Sequence, residues 1–196
     1  MLFILDNGHG IDTPGKCSPK LSNGKQLFEW EFNRKVVNKI AELCYNNGIR
    51  YLILVPEKED ISLNERVRRV NSISEECFLI SIHVNASTMG NMWGNAKGWS
   101  IYTSKGKTKS DEYANIIFNE ANNELGNICK LRADLSDGDV DWEENFYILK
   151  NSKCAAVLTE NLFMDNKEDC EFLLTDEAVE KIALLHFRAI QKIVKK

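Results

Sequence analysis

Apolar residues along the chain fall into short continuous runs separated by stretches in which they recur every three or four positions. The runs at Leu2–Leu5, Ile49–Val55, Phe78–Ile82, Trp99–Thr103 and Ala155–Thr159 predict strands, the second stopped by Pro56 and the third broken only by Ser81. Helical spacing predicts a helix over Glu29–Asn46, with Phe32, Val36, Ile40 and Leu43 facing inward and Asn47-Gly48 ending it. A second helix is predicted over Ser62–Ser72, opened by Ser62 as N-cap with Glu65 three residues on, a capping box. Two more are predicted over about Asp111–Leu125 and Asp176–Val194. Strands alternating with helices predict an α/β domain, a twisted and mostly parallel central sheet with helices on both faces. No repeat, low-complexity tract or linker divides the chain, so residues 1–196 read as one domain.

Composition narrows the partners. The 196 residues are 43% hydrophobic and 28% charged, enough for a core without disulfide staples. A net charge of -4 supplies no basic field toward nucleic acid or an anionic membrane. No apolar run approaches the roughly 18 residues of an integral membrane segment. The amino terminus, Met1-Leu2-Phe3-Ile4-Leu5-Asp6, lacks the basic and long apolar regions of a signal peptide, so the expectation is a soluble product made in the cytoplasm without an export signal. Cys17, Cys44, Cys77, Cys129, Cys154 and Cys170 form no CxxC pair; Cys44 and Cys77 read as small buried hydrophobes, and all six as reduced thiols. Asp134, Asp137, Asp139, Asp141, Glu143 and Glu144 read as a solvated loop, or else as a loop that meets a cationic substrate.

Ligands of open parallel sheets bind beyond the carboxyl ends of the strands. The first strand runs into Asp6-Asn7-Gly8-His9-Gly10, the third into His83-Val84-Asn85-Ala86-Ser87, and the last into Glu160-Asn161. Two of the three histidines and one glutamate thus emerge at equivalent strand ends. The third, His186, lies among Leu184, Leu185 and Phe187 and reads as an ordinary helix residue. Zinc hydrolases commonly use two histidines and a glutamate, leaving a fourth position for water. Helix geometry separates the two acids of the first helix. Phe32, Val36, Ile40 and Leu43 fall within about 60° of Glu29, whereas Glu31 is about 140° from Val36 and points at solvent. Glu29 is either an N-terminal dipole partner or a metal ligand, and an inward carboxylate favours the second. Glu160 leaves a buried strand, where desolvation raises a carboxyl pKa toward the range of a general acid and base; the alternative is a glutamate paired with a lysine or arginine.

Leu5-Asp6-Asn7-Gly8-His9-Gly10, Glu29-Trp30-Glu31-Phe32-Asn33, Ser81-Ile82-His83-Val84-Asn85-Ala86-Ser87 and Val157 through Asn166 resemble, in order and approximate spacing, the type-3 zinc-dependent N-acetylmuramoyl-L-alanine amidases. Arg66 through Asn71 resembles the family's helix ahead of the second histidine, and the resemblance runs from Leu2 to at least Leu174. It implies Zn2+ bound by His9, Glu29 and His83, and Glu160 as catalytic acid and base. The implied reaction is hydrolysis of the amide between N-acetylmuramic acid and L-alanine in peptidoglycan. The chain departs from the family at Ile11 and Leu162, where glycine is usual, and at Trp30, where lysine is frequent; these changes bear on substrate fit more than on chemistry.

Two alternatives are a zinc peptidase acting on the stem peptide and a wall-binding module without catalysis. None of the four chemical groups is missing, which disfavours the second. Met89, Met92, Trp93 and Trp99, interspersed with Gly90, Gly94 and Gly98, are candidates for contact with sugar or peptide or for capping the core, and the acidic stretch around Trp142 for the opposite wall. The expectation is a monomer acting on the cell wall, either a phage-type lysin or the catalytic domain of a longer exported enzyme.

Overall fold

A computed structural model describes residues 1–88, 92–136 and 138–195. In chain order the elements are β1 (Leu2–Asn7), α1 (Glu29–Asn46), β2 (Tyr51–Ile53), α2 (Leu63–Asn71), β3 (Cys77–Asn85), β4 (Ser100–Thr103), α3 (Lys109–Leu125), β5 (Trp142–Glu143), α4 (Tyr147–Asn151), β6 (Ala155–Phe163), α5 (Lys167–Leu173) and α6 (Asp176–Val194). The strands form one six-stranded sheet in the order β2-β1-β3-β6-β4-β5. The pairs β1–β2, β1–β3 and β3–β6 are parallel, β4 runs antiparallel to β6, and β5 is parallel to β4. The mostly parallel α/β sheet expected from the hydrophobic pattern is therefore present, with a reversed edge.

Side chains alternate across the strands and divide the core in two. Phe3, Leu5, Phe78, Ile80, Ile82 and Val157 pack with the apolar stripes of α1, α3 and α6. Ile4, Leu79, Ala156 and Leu158 face the other way, onto Val67 and Val70 of α2 and Ile148 and Leu149 of α4. Burying each large side chain contributes roughly 1.5–3 kcal/mol, so the doubly covered centre of the sheet is the most stabilised part of the chain.

α1 and α6 have the predicted bounds; the central strands run further than predicted. Asp6, Asn7, Ser81, His83 and Asn85 are polar and interrupt the apolar runs, yet the ladder continues through them. β2 is shorter than the predicted Ile49–Val55. Ser62 caps α2 as expected by accepting from the Glu65 amide, but Glu65 turns to Arg68 and Arg69 instead of closing the box. A reciprocal capping box does open α3, between Thr108 and Asp111. The acidic run is not a uniformly solvated loop: Asp141 is buried, accepts from Thr103 Oγ1 at 2.5 Å, and precedes β5. Its carboxyl is pushed up to about 7, first by burial and then by the charge of Asp139. Asp137 lies outside the described residues.

His186 is completely buried on α6 and ties that helix to β6. Its Nδ1 lies 2.6 Å from the Ile182 carbonyl and its Nε2 3.0 Å from Thr159 Oγ1. A carbonyl only accepts, so the neutral ring carries its proton on Nδ1 and Nε2 accepts from the threonine hydroxyl. Asn161 Nδ2 donates to the same hydroxyl oxygen at 3.2 Å, extending the chain to the edge of the sheet. Burial pushes the His186 pKa down from 6.5 to about 4. Between those values the unfolded chain takes up a proton that the folded chain refuses, so stability is complete above the unfolded pKa and falls as pH drops. From pH 7 to pH 5 wild type is expected to lose about 2 kcal/mol on this account. Urea unfolding at both values, on wild type and His186→Gln, checks it; an equal pH dependence in the two proteins contradicts the assignment.

Candidate active site

β1, β3 and β6 bring their carboxyl ends to one edge, with Asn7 level with Ile82 and His83 level with Glu160. Just past β1 the chain turns through His9 at a φ of 68°, in the left-handed region that histidine enters more readily than most residues. Two guanidinium groups hold this turn by the His9 carbonyl, Arg34 Nη1 at 3.2 Å and Arg66 Nη2 at 3.4 Å. Arg66 is only 2% exposed and also donates to Asp6 at 2.6 Å, Asp60 at 2.9 Å and the carbonyls of Asn7 and Ile61. The second Asp6 oxygen accepts from Ser81 Oγ at 2.5 Å, which ties the pair to β3. Gly8 has no room for a side chain, since a Cβ there would lie 2.1 Å from Cε1 of His83.

Glu29 enters from the first turn of α1, 1% exposed. Its Oε1 lies 3.0 Å from His83 Nδ1 and 3.4 Å from His9 Nε2, and accepts from the Val84 amide at 3.1 Å. Its Oε2 is buried without a hydrogen bond, with the Lys16 ammonium 3.9 Å away. The two imidazoles meet edge to face with centroids 4.9 Å apart. One donor atom from each of His9, Glu29 and His83 lies within 4.8 Å of the others. Burial would raise the Glu29 carboxyl, but the hydrogen bonds with His83 and His9 outweigh it and hold the group ionised, well below the usual carboxylate range. Burial lowers the pKa of His9, whereas His83, also buried, is raised by its contact with Glu29. Two imidazoles converging on an ionised carboxylate with an orphaned oxygen fit a divalent metal in both donor type and charge. Glu31 points away, paired with Lys35 at 2.7 Å.

Glu160 stands beside this cluster across the β3–β6 ladder. Its Oε2 is buried without a hydrogen bond, and burial pushes its carboxyl up to about 7, with Glu29 adding to the rise and His83 opposing it. A lysine or arginine partner, the alternative weighed from sequence, is not found among the described residues in hydrogen-bond contact with it. Beyond Glu160 the register slips, Asn85 pairing with Phe163, so β6 carries an extra residue there. Leu162 takes a φ of 67° in that bulge, the position where the sequence departs from glycine. Asn161 locks it by donating to the His83 carbonyl at 2.9 Å and accepting from Trp99 Nε1 at 2.8 Å.

The four chemically selected residues thus come together. Trp99 does not join them at a surface, being fully buried as part of the core. Met92 and Trp93 are 63% and 38% exposed. Met89 and Gly90 lie outside the described residues. Sequence reasoning missed Lys16, which no local pattern marks, and the clamping role of Arg34 and Arg66. For Arg66 a signal existed, because it shares the buried face of α2 with Val67 and Val70. Three arginines within four positions hid which one turns inward.

A sequence profile described as N-acetylmuramoyl-L-alanine amidase matches residues 3–192. The chain belongs to this amidase family. It is 28% identical over 205 residues to an endolysin of Bacillus phage SPP1, covering 98% of this chain and 66% of the phage protein. It is 26% identical over 194 residues to a sporulation-specific N-acetylmuramoyl-L-alanine amidase of Bacillus subtilis (strain 168), covering 97% of this chain and 67% of that one. The chain therefore spans about two thirds of the length of these curated relatives. The fold matches the amidase AmiC2 of Nostoc punctiforme with a TM-score of 0.80 at 21% identity, covering 100% of this chain and 98% of that one. An amidase of Clostridium difficile 630 matches with a TM-score of 0.79 at 20% identity over 100% and 96%.

The close contact at Gly8 carries a prediction. In Gly8→Ala the added methyl must displace the His83 ring, and zinc affinity measured by chelator competition is expected to fall at least tenfold, with about 1–3 kcal/mol of stability lost. Unchanged affinity would show that the ring position is not what the metal requires.

Proposed function

We propose that this chain hydrolyses the amide bond between N-acetylmuramic acid and L-alanine in peptidoglycan, with zinc held by His9, Glu29 and His83 and with Glu160 as acid and base. The observation that carries the reading is the Glu29 carboxylate between two imidazoles, one oxygen unpartnered, with the unpartnered Glu160 carboxyl across the ladder from His83. Membership of the amidase family supports it, as does the endolysin named among its relatives. When bound, zinc supplies a Lewis acid and lowers the pKa of water toward neutrality.

This chain's own residues account for the proton movements. Glu160, half-buried with its Oε2 out of contact with solvent, takes a proton from water as the water oxygen bonds to the lactyl carbonyl carbon. It returns that proton to the L-alanine nitrogen as the carbon–nitrogen bond breaks. The products are a stem peptide with a free amino terminus and a glycan with a free lactyl carboxylate. Arg34 and Arg66 keep His9 in its left-handed turn, and Lys16 holds a positive charge beside the reacting centre. Met92 and Trp93 offer exposed apolar surface on the loop after β3 for the muropeptide. Among the described residues no helix is long and apolar enough to cross a membrane. The chain is proposed to act on the cell wall as a monomer.

Glu160→Gln is expected to keep its zinc, measured by elemental analysis, while release of stem peptides from intact muropeptide falls by roughly 10²–10⁴. Wild type is expected to leave isolated stem peptide uncut. Cleavage within the stem peptide, or retained activity in the variant, contradicts this reading.

A further inference from the structure

Arg132 stands apart from the other arginines. The chain has seven, at positions 34, 50, 66, 68, 69, 132 and 188. Six of them donate to a carboxylate or a backbone carbonyl. For Arg132 no hydrogen bond or ion pair to the guanidinium is found among the described residues. Two aromatic rings hold it instead, its Cζ lying 5.0 Å from the centroid of Phe163 and 5.7 Å from that of Trp142. The backbone is pinned as well. The Arg132 amide donates to the Trp99 carbonyl at 2.8 Å, and Trp142 Nε1 donates to the Arg132 carbonyl at 3.2 Å.

Strand alternation tells which side of the sheet this cation occupies. Glu160 follows Leu158 by two positions and His83 follows Leu79 by four, so both share the face packed by α2 and α4. Across β6, Ser100 is level with Glu160 and Tyr102 with Leu158; across β4, Trp142 is level with Tyr102. Beyond the bulge Phe163 is level with Asn85, two residues past His83. The two rings that bracket Arg132 therefore lie on the face of Glu160 and His83. Because of the bulge, Phe163 is only two ladder positions beyond Glu160, as Asn85 is beyond His83, which is roughly 7 Å along the edge. A guanidinium stacked on rings keeps its in-plane N–H donors free, and their planar fork matches a carboxylate.

We propose that Arg132 binds a carboxylate of the substrate's peptide portion, on the acidic residue that follows the L-alanine. The inference rests on the amidase reading, which supplies the substrate. Within it the choice of partner follows from chemistry. The N-acetylated sugars are uncharged, and the muramic acid lactyl carboxyl is consumed in the scissile amide, so anionic groups lie on the stem peptide. L-alanine and the residue after it together span about 7 Å in extended form, which suits a cation held on Phe163, some 7 Å along the edge from Glu160 on the same face. Arg132 is thus a specificity residue and takes no part in moving protons.

The test uses L-alanyl-γ-D-glutamyl-L-lysine and the same peptide with its glutamyl α-carboxylate amidated. Binding of each is measured by calorimetry with zinc-loaded wild type, Arg132→Gln and Arg132→Lys. Wild type is expected to prefer the free acid by about 10–100-fold, the range of a charge-assisted hydrogen bond. Arg132→Gln should erase that preference while binding the amide within about twofold of wild type, and Arg132→Lys should keep part of it. With muropeptide as substrate, KM should rise by the same factor in Arg132→Gln and kcat should change less than twofold. Equal binding of acid and amide by wild type overturns the proposal, as does wild type binding neither. A loss that is the same for both peptides in Arg132→Gln also overturns it, since that would mark a packing role beside Trp142. A wild type that prefers the acid but releases no stem peptide leaves the carboxylate site standing and removes the amidase reading instead.

Discussion

Parallel pairing of β1 with β3 and of β3 with β6 brings the carboxyl ends of three strands to one edge, and the three candidate groups that strands deliver depend on it. Antiparallel neighbours would send alternate carboxyl ends to opposite edges. Here Asn7 is level with Ile82 and His83 with Glu160, so His9, His83 and Glu160 are delivered to one edge without long loops. Short delivery matters because a site of fixed ligands needs positions held within about half an ångström. The price is exposure of backbone at the strand ends. It is met locally, by Asn33 donating to the Gly8 carbonyl at 3.1 Å, Asn161 to the His83 carbonyl, and two arginines to the His9 carbonyl.

Charge burial is the second constraint. Asp6 and Arg66 are both nearly inaccessible, and removing either partner would leave an uncompensated charge, at a cost of roughly 3–5 kcal/mol. Such a pair adds little stability over an apolar one of equal volume, so its presence needs another reason. The geometry supplies one. The same guanidinium reaches the carbonyls of Asn7 and His9, and the same aspartate reaches Ser81, so the pair fixes β1's exit turn against β3. Glu29 is different. Its charge is compensated on one oxygen by the two histidines and the Val84 amide, while the other stays without a hydrogen bond, a state that favours a bound cation.

The chemistry was more legible in the sequence than the architecture around it. His9, Glu29, His83 and Glu160 could be singled out because each is a chemically capable residue at a position whose direction is set by strand ends or helical phase. α1 and α6 were legible to the residue because their apolar spacing is unbroken. The ends of β1, β3 and β6 were not, since polar residues continue the ladder there and satisfy themselves through tertiary contacts that no local pattern encodes. α4, α5 and β5 were missed for length: five, seven and two residues give periodicity too little room. Asp141 looked solvated because its partner, Thr103, is 38 residues away. Lys16 and Arg132 were invisible for the same reason, being defined by what other segments place beside them.

The two faces of the sheet are covered unequally, and this explains why the groups end where they do. One face carries α1, α3 and α6, of 18, 17 and 19 residues. The other carries α2 and α4, of nine and five. At 1.5 Å per residue the first set spans about 25 Å or more and the second about 14 Å or less, too short to cover the carboxyl ends of the strands. Alternation then sorts the edge residues. Ile82, Thr159 and Val84 turn to the long-helix side and are buried, whereas His83 and Glu160 turn to the short-helix side and are partly open. Glu29 has to reach that side from a helix on the opposite one, which its place in the first turn of α1 allows. Trp142, Phe163 and Arg132 lie on that same face, with the guanidinium laid over the buried Phe163 ring, so a bound chain running from Glu160 toward β5 would pass from the reacting groups to Arg132.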